Sequence, residues 1–509
     1  MQNKKNTLIN MLSALIFLCV QMFISFWLSP FVVGRLGEEA YGFINLANNF
    51  VSYASLLSVA INSMSSRYIS VEYNSGRVEE AKSYFCSVFV VNCFLYGLIL
   101  IISIIFIGRI ELIINIPSKF LFQVKLTFLL SFLNMGASLI GTVYMAASFT
   151  TNKMHYNSLI QIVSNVVKTI VVFVLFSVLP AKIYYLSIAT LVAGIITLYG
   201  NFYITKILFS EFKIKWKYFK FSKLIILVKS GFWVLISNIS NLLLNGLDLL
   251  FSNWFISSAI MGRLSLAKQI PLALSSALGV FSNIFSSALT KSFVVDGDEG
   301  IINEAYSQLR ILTFFFTVPY AGLIAYGENF LHLWLSNTNY SMTQIEEIYT
   351  LMLLVLLDII ISTYMYSIHS IFIALDKVRV YSIVLFIASV VSMTSTLFLL
   401  KFTNLGVYAI AGTSTVVLGF THGIIVPGVA GKLLNKPIWL FWKSELNSWT
   451  LLFIVYIVFV LLRFVLNLSS WSLFGISIMI AGVIGYIISF FIILNKAERL
   501  EIKKLIKRS

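Results

Sequence analysis

Charged residues are scarce: Asp, Glu, Lys and Arg make up 11% of the 509 residues, against about 25% in soluble globular domains. That deficit, with 59% apolar residues and a mean hydropathy of +0.93, excludes a soluble fold. Cysteine is nearly absent, and Cys19, Cys86 and Cys93 all fall in apolar runs. Neither a disulfide framework nor a thiolate metal site is expected from them. No glycine-rich phosphate loop, dinucleotide fingerprint or metal-ligand spacing occurs, so ATP hydrolysis and bound cofactors are not expected of this chain. Long hydrophilic stretches are missing too: no connection between apolar runs exceeds about 25 residues, well short of a catalytic domain.

What is present is a succession of apolar runs. There are about fourteen of about 20 residues each, the length that crosses about 30 Å of hydrocarbon. The first lies at 8–33 and the last at 472–494. The expected fold class is an all-α polytopic membrane protein. Lys and Arg outnumber Asp and Glu by 36 to 20, and the excess is unevenly spread. With a cytoplasmic amino terminus, the even-numbered connections and both tails carry most of the Lys and Arg, which is the positive-inside distribution. Both termini are therefore expected in the cytoplasm, and the basic excess is a topological signal rather than a nucleic-acid site. The first run follows Lys4 and Lys5 but is too long for a signal-peptide core and has no convincing cleavage site, so it is read as retained.

The sequence repeats itself. Gly42, Leu46, Ala47, Ser55 and Ser66 recur as Gly262, Leu266, Ala267, Ser275 and Ser286 at one constant offset. Glu80, Ala81, Lys153, Ser158 and Tyr184 recur as Glu304, Ala305, Lys377, Ser382 and Tyr408 at a slightly larger one. A short insertion within 296–300 reconciles the two. Duplicated halves in a membrane chain point first to a transporter. Six spans per repeat is an even number, so both copies enter the membrane in the same direction. The expectation is two parallel six-helix lobes, 1–210 and 230–432, around a central cavity. A basic connector at 211–229 joins them, and an extra helix pair with a basic tail occupies 433–509. The connector interleaves lysines with Phe212, Trp216, Tyr218, Phe219 and Phe221. It reads either as an interfacial segment on anionic lipid or as an ordinary positive-inside anchor.

Polar groups in hydrocarbon normally face protein or a watery cavity. Asn45, Asn48, Ser52, Ser55, Asn62 and Ser66 in the second run share one helical face, and Lys268, Ser275, Ser282, Ser286 and Thr290 follow in its repeat copy. Lining of a cavity and hydrogen bonding between packed helices both fit such stripes. In the seventh run Asn238, Asn241, Asn245, Asp248 and Ser252 step by three and four residues, ending in a carboxylate. Coupling to Na⁺ or H⁺ through Asp248, Asn245 and Asn241, a structural ion pair for Asp248, and simple helix packing all remain open. Lys168, with Gln161 and Asn165 on its face, and Lys268, Arg35 and Arg263 are the candidate cations for an anionic substrate such as a diphosphate. Arg67 and Arg310 read as membrane anchors. Asp358, His369 and His422 are isolated titratable groups expected to be satisfied by neighbours.

The stretch Phe372-Ile-Ala-Leu-Asp-Lys-Val-Arg-Val-Tyr-Ser382, then Asn404-Leu-Gly-Val-Tyr-Ala-Ile-Ala-Gly-Thr-Ser414, and Tyr41-Gly-Phe-Ile-Asn-Leu-Ala47 resemble recurrent segments of polysaccharide flippases. These belong to the multidrug/oligosaccharidyl-lipid/polysaccharide exporter superfamily. The resemblance implies a multi-pass protein of the bacterial plasma membrane, not an enzyme. It would flip polyprenyl-diphosphate-linked oligosaccharide repeat units by alternating access, for O-antigen, capsule or related polymers. The implied partners are that lipid-linked oligosaccharide, membrane lipids, and the polymerase and glycosyltransferases of the same pathway. Lys268 stands where relatives place cavity cations, and Asp248 in the span that holds an ion-site acid in some. The first span has no intramembrane cation or acid, unlike several related lipid flippases and many drug exporters. A cation-coupled multidrug or metabolite exporter is the alternative on the same architecture.

Overall fold

The computed structural model describes residues 2–212, 214–465, 468 and 470–500. Side chains at 2–5, 7, 8, 280–284, 286, 287, 290 and 294 lie outside that description, among them Ser282, Ser286 and Thr290 of the expected polar stripe. The described chain is all-helical. Helices α1 (Gln2–Leu36), α2 (Glu38–Asn74), α3 (Val78–Gly108), α4 (Leu121–Thr150), α5 (His155–Val178) and α6 (Tyr184–Leu208) come first. Helix α7 (Phe221–Asn241) passes through a π-helical turn, Leu242–Gly246, into α8 (Asp248–Phe255), and the short α9 (Ser258–Ala267) follows. Then come α10 (Gln269–Trp334), α11 (Met342–Ala374), α12 (Val378–Phe402) and α13 (Val407–Phe420). A second π turn, Thr421–Ile425, leads into α14 (Val426–Leu433), and α15 (Trp442–Val465) and α16 (Trp471–Ile492) close the fold.

Among the described residues, 13 helices are long and apolar enough to cross a membrane. The run expected at 270–290 is the first part of α10, much of whose side-chain detail is outside the description. Helix α10 holds two expected spans because helical geometry resumes directly after a break at Gly297, where φ is 60° and ψ is −143°. Only glycine adopts that pair of angles without strain. Helix α9 was not legible, since its ten residues offer no run of spanning length.

The ends of successive helices explain why this apolar chain turns where it does. After α4, Asn152 adopts a left-handed φ of 53°, Lys153 N–H donates to Ser148 O at 2.8 Å and Asn152 N–H to Phe149 O at 3.1 Å. After α11, Asp376 has φ 55°, Lys377 N–H donates to Phe372 O at 2.8 Å and Asp376 N–H to Ile373 O at 3.2 Å. These are the same Schellman cap built twice on repeat-related residues. Gly76 after α2 (φ 78°) and Asn435 after α14 (φ 51°) form the same type of cap. A cation follows each of the four: Arg77, Lys153, Lys377 and Lys436.

The helices form two compact units, Met1–Ser265 and Leu266–Ser509. The repeat boundary expected near 229 follows ancestry, whereas the boundary of contacts follows α7, which packs on α2 and α3 in the first unit. A Cβ on Gly231 of α7 would lie 1.9 Å from Ala60 O of α2, so the two backbones touch directly. Each unit has an apolar core at repeat-related positions. Tyr144 and Ala147 belong to one, and their counterparts Ile368 and Ile371 to the other. Helix α11 starts with a capping box: Gln344 N–H donates to Ser341 Oγ (3.3 Å) and Ser341 N–H to Gln344 Oε1 (2.9 Å). Arg310, expected as a lipid anchor, instead forks onto Glu498 at 2.7–3.0 Å and ties the segment after α16 to α10.

The basic connector is docked rather than loose. Ser83 Oγ donates to Tyr218 O at 2.9 Å and Lys220 N–H to Ser87 Oγ at 2.9 Å. Glu80 accepts from Lys220 at 3.0 Å and pairs with Lys223. Phe212 and Phe219 pack against the first unit's core, while Ile214, Trp216 and Phe221 stay exposed.

Candidate functional site

The polar face of α2 divides into two roles. Asn62 and Asn92 exchange side-chain hydrogen bonds at 3.2 and 3.0 Å, and Asn92 Nδ2 also donates to Leu139 O at 2.9 Å. Asn45 Nδ2 donates to Ser265 Oγ at 3.1 Å. These two asparagines join helices. Asn48 and Ser52 lie on the exposed side, where Ser52 Oγ donates to Asn48 O of its own helix at 3.0 Å. Ser275 of α10 is partly buried, within hydrogen-bonding reach of the Tyr366 hydroxyl.

The stripe read along the seventh run is not one α-helical face. A π turn carries more residues per turn than 3.6, so it rotates the register between Asn241 and Asp248. Asn238 and Asn241 are exposed, Asn245 lies within the turn and is partly buried, and Asp248 and Ser252 are buried. The turn also leaves Gly246 O available, and α2 uses it: Asn49 Nδ2 donates to it at 3.2 Å, as does the Tyr53 hydroxyl. Asp248, 7% exposed, lies close enough to Tyr53 to interact with it electrostatically.

Of the four candidate cations, Arg263 is paired with Glu38 and, among the described residues, only Lys168 lines a polar pocket. Arg263 pairs with Glu38 at 3.5 Å, both largely buried, so its charge is met at the start of α2. Beside it, repeat-related residues meet. A Cβ on Gly262 would lie 2.1 Å from Glu38 O, and one on Gly42 would lie 3.0 Å from Gly262 Cα. Asn45 and its repeat counterpart Ser265 form the hydrogen bond next to this contact. Arg35 is exposed at the end of α1, with its guanidinium 5.8 Å from the Phe31 ring. Lys268 is buried at 6% exposure just ahead of α10, in the second unit.

Lys168 stands apart. It projects from the middle of α5 into a pocket of about 300 Å³ between α4, α5 and α6. The walls mix amides and hydroxyls (Asn134, Ser138 and Thr142 from α4, Gln161, Ser164 and Asn165 from α5, Thr190, Thr197 and Asn201 from α6) with apolar surface that includes Ala137, Met145 and Ala193. The expected face of Gln161, Asn165 and Lys168 is therefore intact. Thr197 Oγ1 donates to Ser164 Oγ at 2.9 Å, pinning α6 to α5. Gly194 lets Asn134 lie across α6, since a Cβ there would meet Asn134 Oδ1 at 1.9 Å. Three buried polar atoms in this lining make no hydrogen bond: Asn134 Oδ1 and both side-chain atoms of Asn201. No Asp or Glu lines the pocket, and Lys168 makes no ion pair among the described residues. Buried polar atoms are normally satisfied. A cation with hydroxyl and amide groups around it, inside a membrane bundle, is equipped to receive phosphate or sugar oxygens. The α4 and α6 side of this pocket was missed in the sequence, because scattered Asn, Thr and Gly residues there give no stripe.

Comparison with known proteins bears on the fold and the family. The uncharacterized membrane protein EpsK of Bacillus subtilis (strain 168) is 25% identical over 485 residues, covering 94% of each chain. Among solved structures, the lipid II flippase MurJ in an inward closed conformation superposes with a TM-score of 0.67 at 16% identity, over 95% of this chain and 98% of that one. An inward-facing multidrug resistance MATE family transporter of the MOP superfamily gives 0.63 at 12% identity, over 82% and 94%. At such identities the structural likeness speaks for the fold, an all-α polytopic membrane fold. The polysaccharide biosynthesis protein family matches residues 4–289, more than half of the sequence, and the chain belongs to that family.

Proposed function

We propose that this protein flips a polyprenyl-diphosphate-linked oligosaccharide from the cytoplasmic to the outer leaflet of a bacterial plasma membrane, supplying surface polysaccharide synthesis by alternating access. Both termini lie in the cytoplasm on this reading, as the distribution of Lys and Arg requires. The observation that carries it is Lys168, a cation that makes no ion pair among the described residues, in a pocket rich in hydroxyls and amides within a polysaccharide-family chain. An unpaired lysine in mid-membrane is costly and is retained where it serves a ligand. About 300 Å³ is at the small end of ligand pockets and suits one phosphate or sugar unit, not a whole repeat. Lys268 and Arg35 lie outside this pocket, and on this reading they meet the anionic head group at other points of its passage.

The exporter alternative retains one supporting observation, the buried carboxylate of Asp248 beside a π turn, which suits Na⁺ or H⁺ coupling. The two readings part in proteoliposomes. Flipping of a fluorescent polyprenyl-diphosphate oligosaccharide should be lost or strongly slowed in Lys168→Gln and largely kept in Lys168→Arg. Equal rates for all three proteins, with uptake of cationic dyes instead, would replace flipping with export.

A further inference from the structure

The second unit contains a cavity separate from the Lys168 pocket. It measures about 170 Å³ and lies where α11, the π turn after α13 and α15 meet, lined by Tyr364, His422, Glu445 and Trp449 with Ile361 and two glycines. Three of these side chains are more than nine-tenths buried: Tyr364 at 2%, His422 at 5% and Glu445 at 7% exposure. Among the described residues, His422 Nε2 and Glu445 Oε1 make no hydrogen bond, while Tyr364 Oη lies within reach of the Thr317 hydroxyl. The other imidazole nitrogen, Nδ1, is only 3.4 Å from Ser362 Oγ, so the expectation that a neighbour satisfies this histidine holds for one nitrogen at most.

Charge neutrality sets the problem. The charged and titratable groups on surrounding elements include Asp358, Tyr366 and His369 on α11, Arg379 and Tyr381 on α12, Lys432 on α14, Lys443 and Arg463 on α15, and Glu304 and Arg310 on α10. Arg310 is taken by Glu498, and neither Lys432 nor Lys443 makes an ion pair among the described residues. No Lys or Arg lines the cavity. A carboxylate left there without a counter-charge is strongly disfavoured. Neutralisation needs either a proton or a bound metal cation. Among the described residues no three His, Cys, Asp or Glu side chains are grouped to hold a metal ion, and hard cations require a shell of several oxygens. A carboxyl, an imidazole nitrogen and a phenol around a cavity of a few water volumes are instead the parts of a proton site.

We propose that Glu445 and His422, with Tyr364 beside them, bind one exchangeable proton within the second unit. The proton sits on Glu445 or passes to His422 Nε2, and no other atom need leave or enter. The π turn Thr421–Ile425 holds His422, and such turns are frequently found at functional sites. The proposal stands whatever cargo is moved.

Infrared difference spectroscopy on the purified full-length protein in lipid nanodiscs tests it. The wild-type spectrum at neutral pH, minus that of Glu445→Gln, should contain the C=O stretch of a protonated carboxylic acid. The same band should survive in Asp358→Asn, which removes another buried carboxyl. His422→Gln should keep the band and displace its titration midpoint by at least one pH unit. Each variant is first matched to wild type by size-exclusion profile, and Glu445→Ala replaces Glu445→Gln if the latter misfolds. Absence of the band, an unmoved midpoint in His422→Gln, or loss of the band on adding Na⁺ at fixed pH would each overturn the proposal, the last in favour of a metal-cation site.

Discussion

Replacing Gly262 with alanine puts a methyl group into the contact between α9 and the start of α2. The new Cβ would meet Glu38 O at 2.1 Å and Glu38 C at 2.6 Å. Both are backbone atoms, so no side-chain rotation relieves the clash. Ordinary van der Waals contact starts near 3.4 Å, and the two elements must part by about 1.3 Å to reach it. That displacement stretches the 3.1 Å bond from Asn45 to Ser265 and the 3.5 Å Arg263–Glu38 pair past useful range. Overpacking costs about 1–3 kcal/mol and the lost hydrogen bond about 1 kcal/mol, so about 2–4 kcal/mol is expected. Gly42→Ala faces the movable Met261 Cε at 2.9 Å and Gly262 at 3.0 Å, and should cost about half as much. Gly97→Ala in α3 meets nothing within 4 Å and should be neutral or stabilising by up to about 1 kcal/mol through helix propensity. Unfolding by dodecyl sulfate in mixed micelles, followed by tryptophan fluorescence, ranks the three. If Gly262→Ala unfolds together with Gly97→Ala, the repeat-related contact does not hold the first unit together.

Further tests address other links. Lys168→Met removes an unpaired cation from mid-membrane, so stability should rise by about 2–3 kcal/mol while binding of a diphosphate head group weakens roughly 10- to 100-fold; a purely structural lysine would give loss of stability with binding unchanged. Asp376→Gly relieves the left-handed cap after α11 and should stabilise by about 1 kcal/mol, read in the same micelle titration. Burial pushes Glu498 up, but hydrogen bonds from Arg310, the Asn495 backbone and Ser307 outweigh it and hold the carboxyl below its ordinary range. Its stabilising contribution is therefore complete above the unfolded value of about 4.3 and lost as pH falls through the lower folded value. Hydrogen-exchange protection of 494–500, corrected for intrinsic rates, should fall only in that acidic window, and Glu498→Gln should abolish the pH step.

The span pattern was legible because hydrocarbon thickness forces long apolar runs, and the duplication because repeat-related caps need the same residue types, as Asn152-Lys153 and Asp376-Lys377 show. The stripe through Asn238, Asn241 and Asp248 was read with one helical period, and a π turn at Leu242–Gly246 has no sequence signature that would correct it. Lys168 was legible as an isolated cation in an apolar run. Its pocket was not, because α4 and α6 supply lone Asn and Thr residues that look like packing groups. Glu445 sits in Trp442-Lys-Ser-Glu-Leu-Asn-Ser-Trp449, which reads as a polar connection, and only tertiary structure buries it against His422. Arg263 read as a cavity cation, whereas proximity to Glu38 depends on α9, which periodicity did not reveal.

The central claim is flipping. In cells lacking this protein, polyprenyl-diphosphate-linked oligosaccharide should accumulate on the cytoplasmic leaflet and surface polysaccharide should disappear. Returning the wild-type chain should reverse both, and Lys168→Gln at equal protein level should not. Unchanged surface polysaccharide and no lipid-linked accumulation, with altered sensitivity to cationic drugs, would contradict the account.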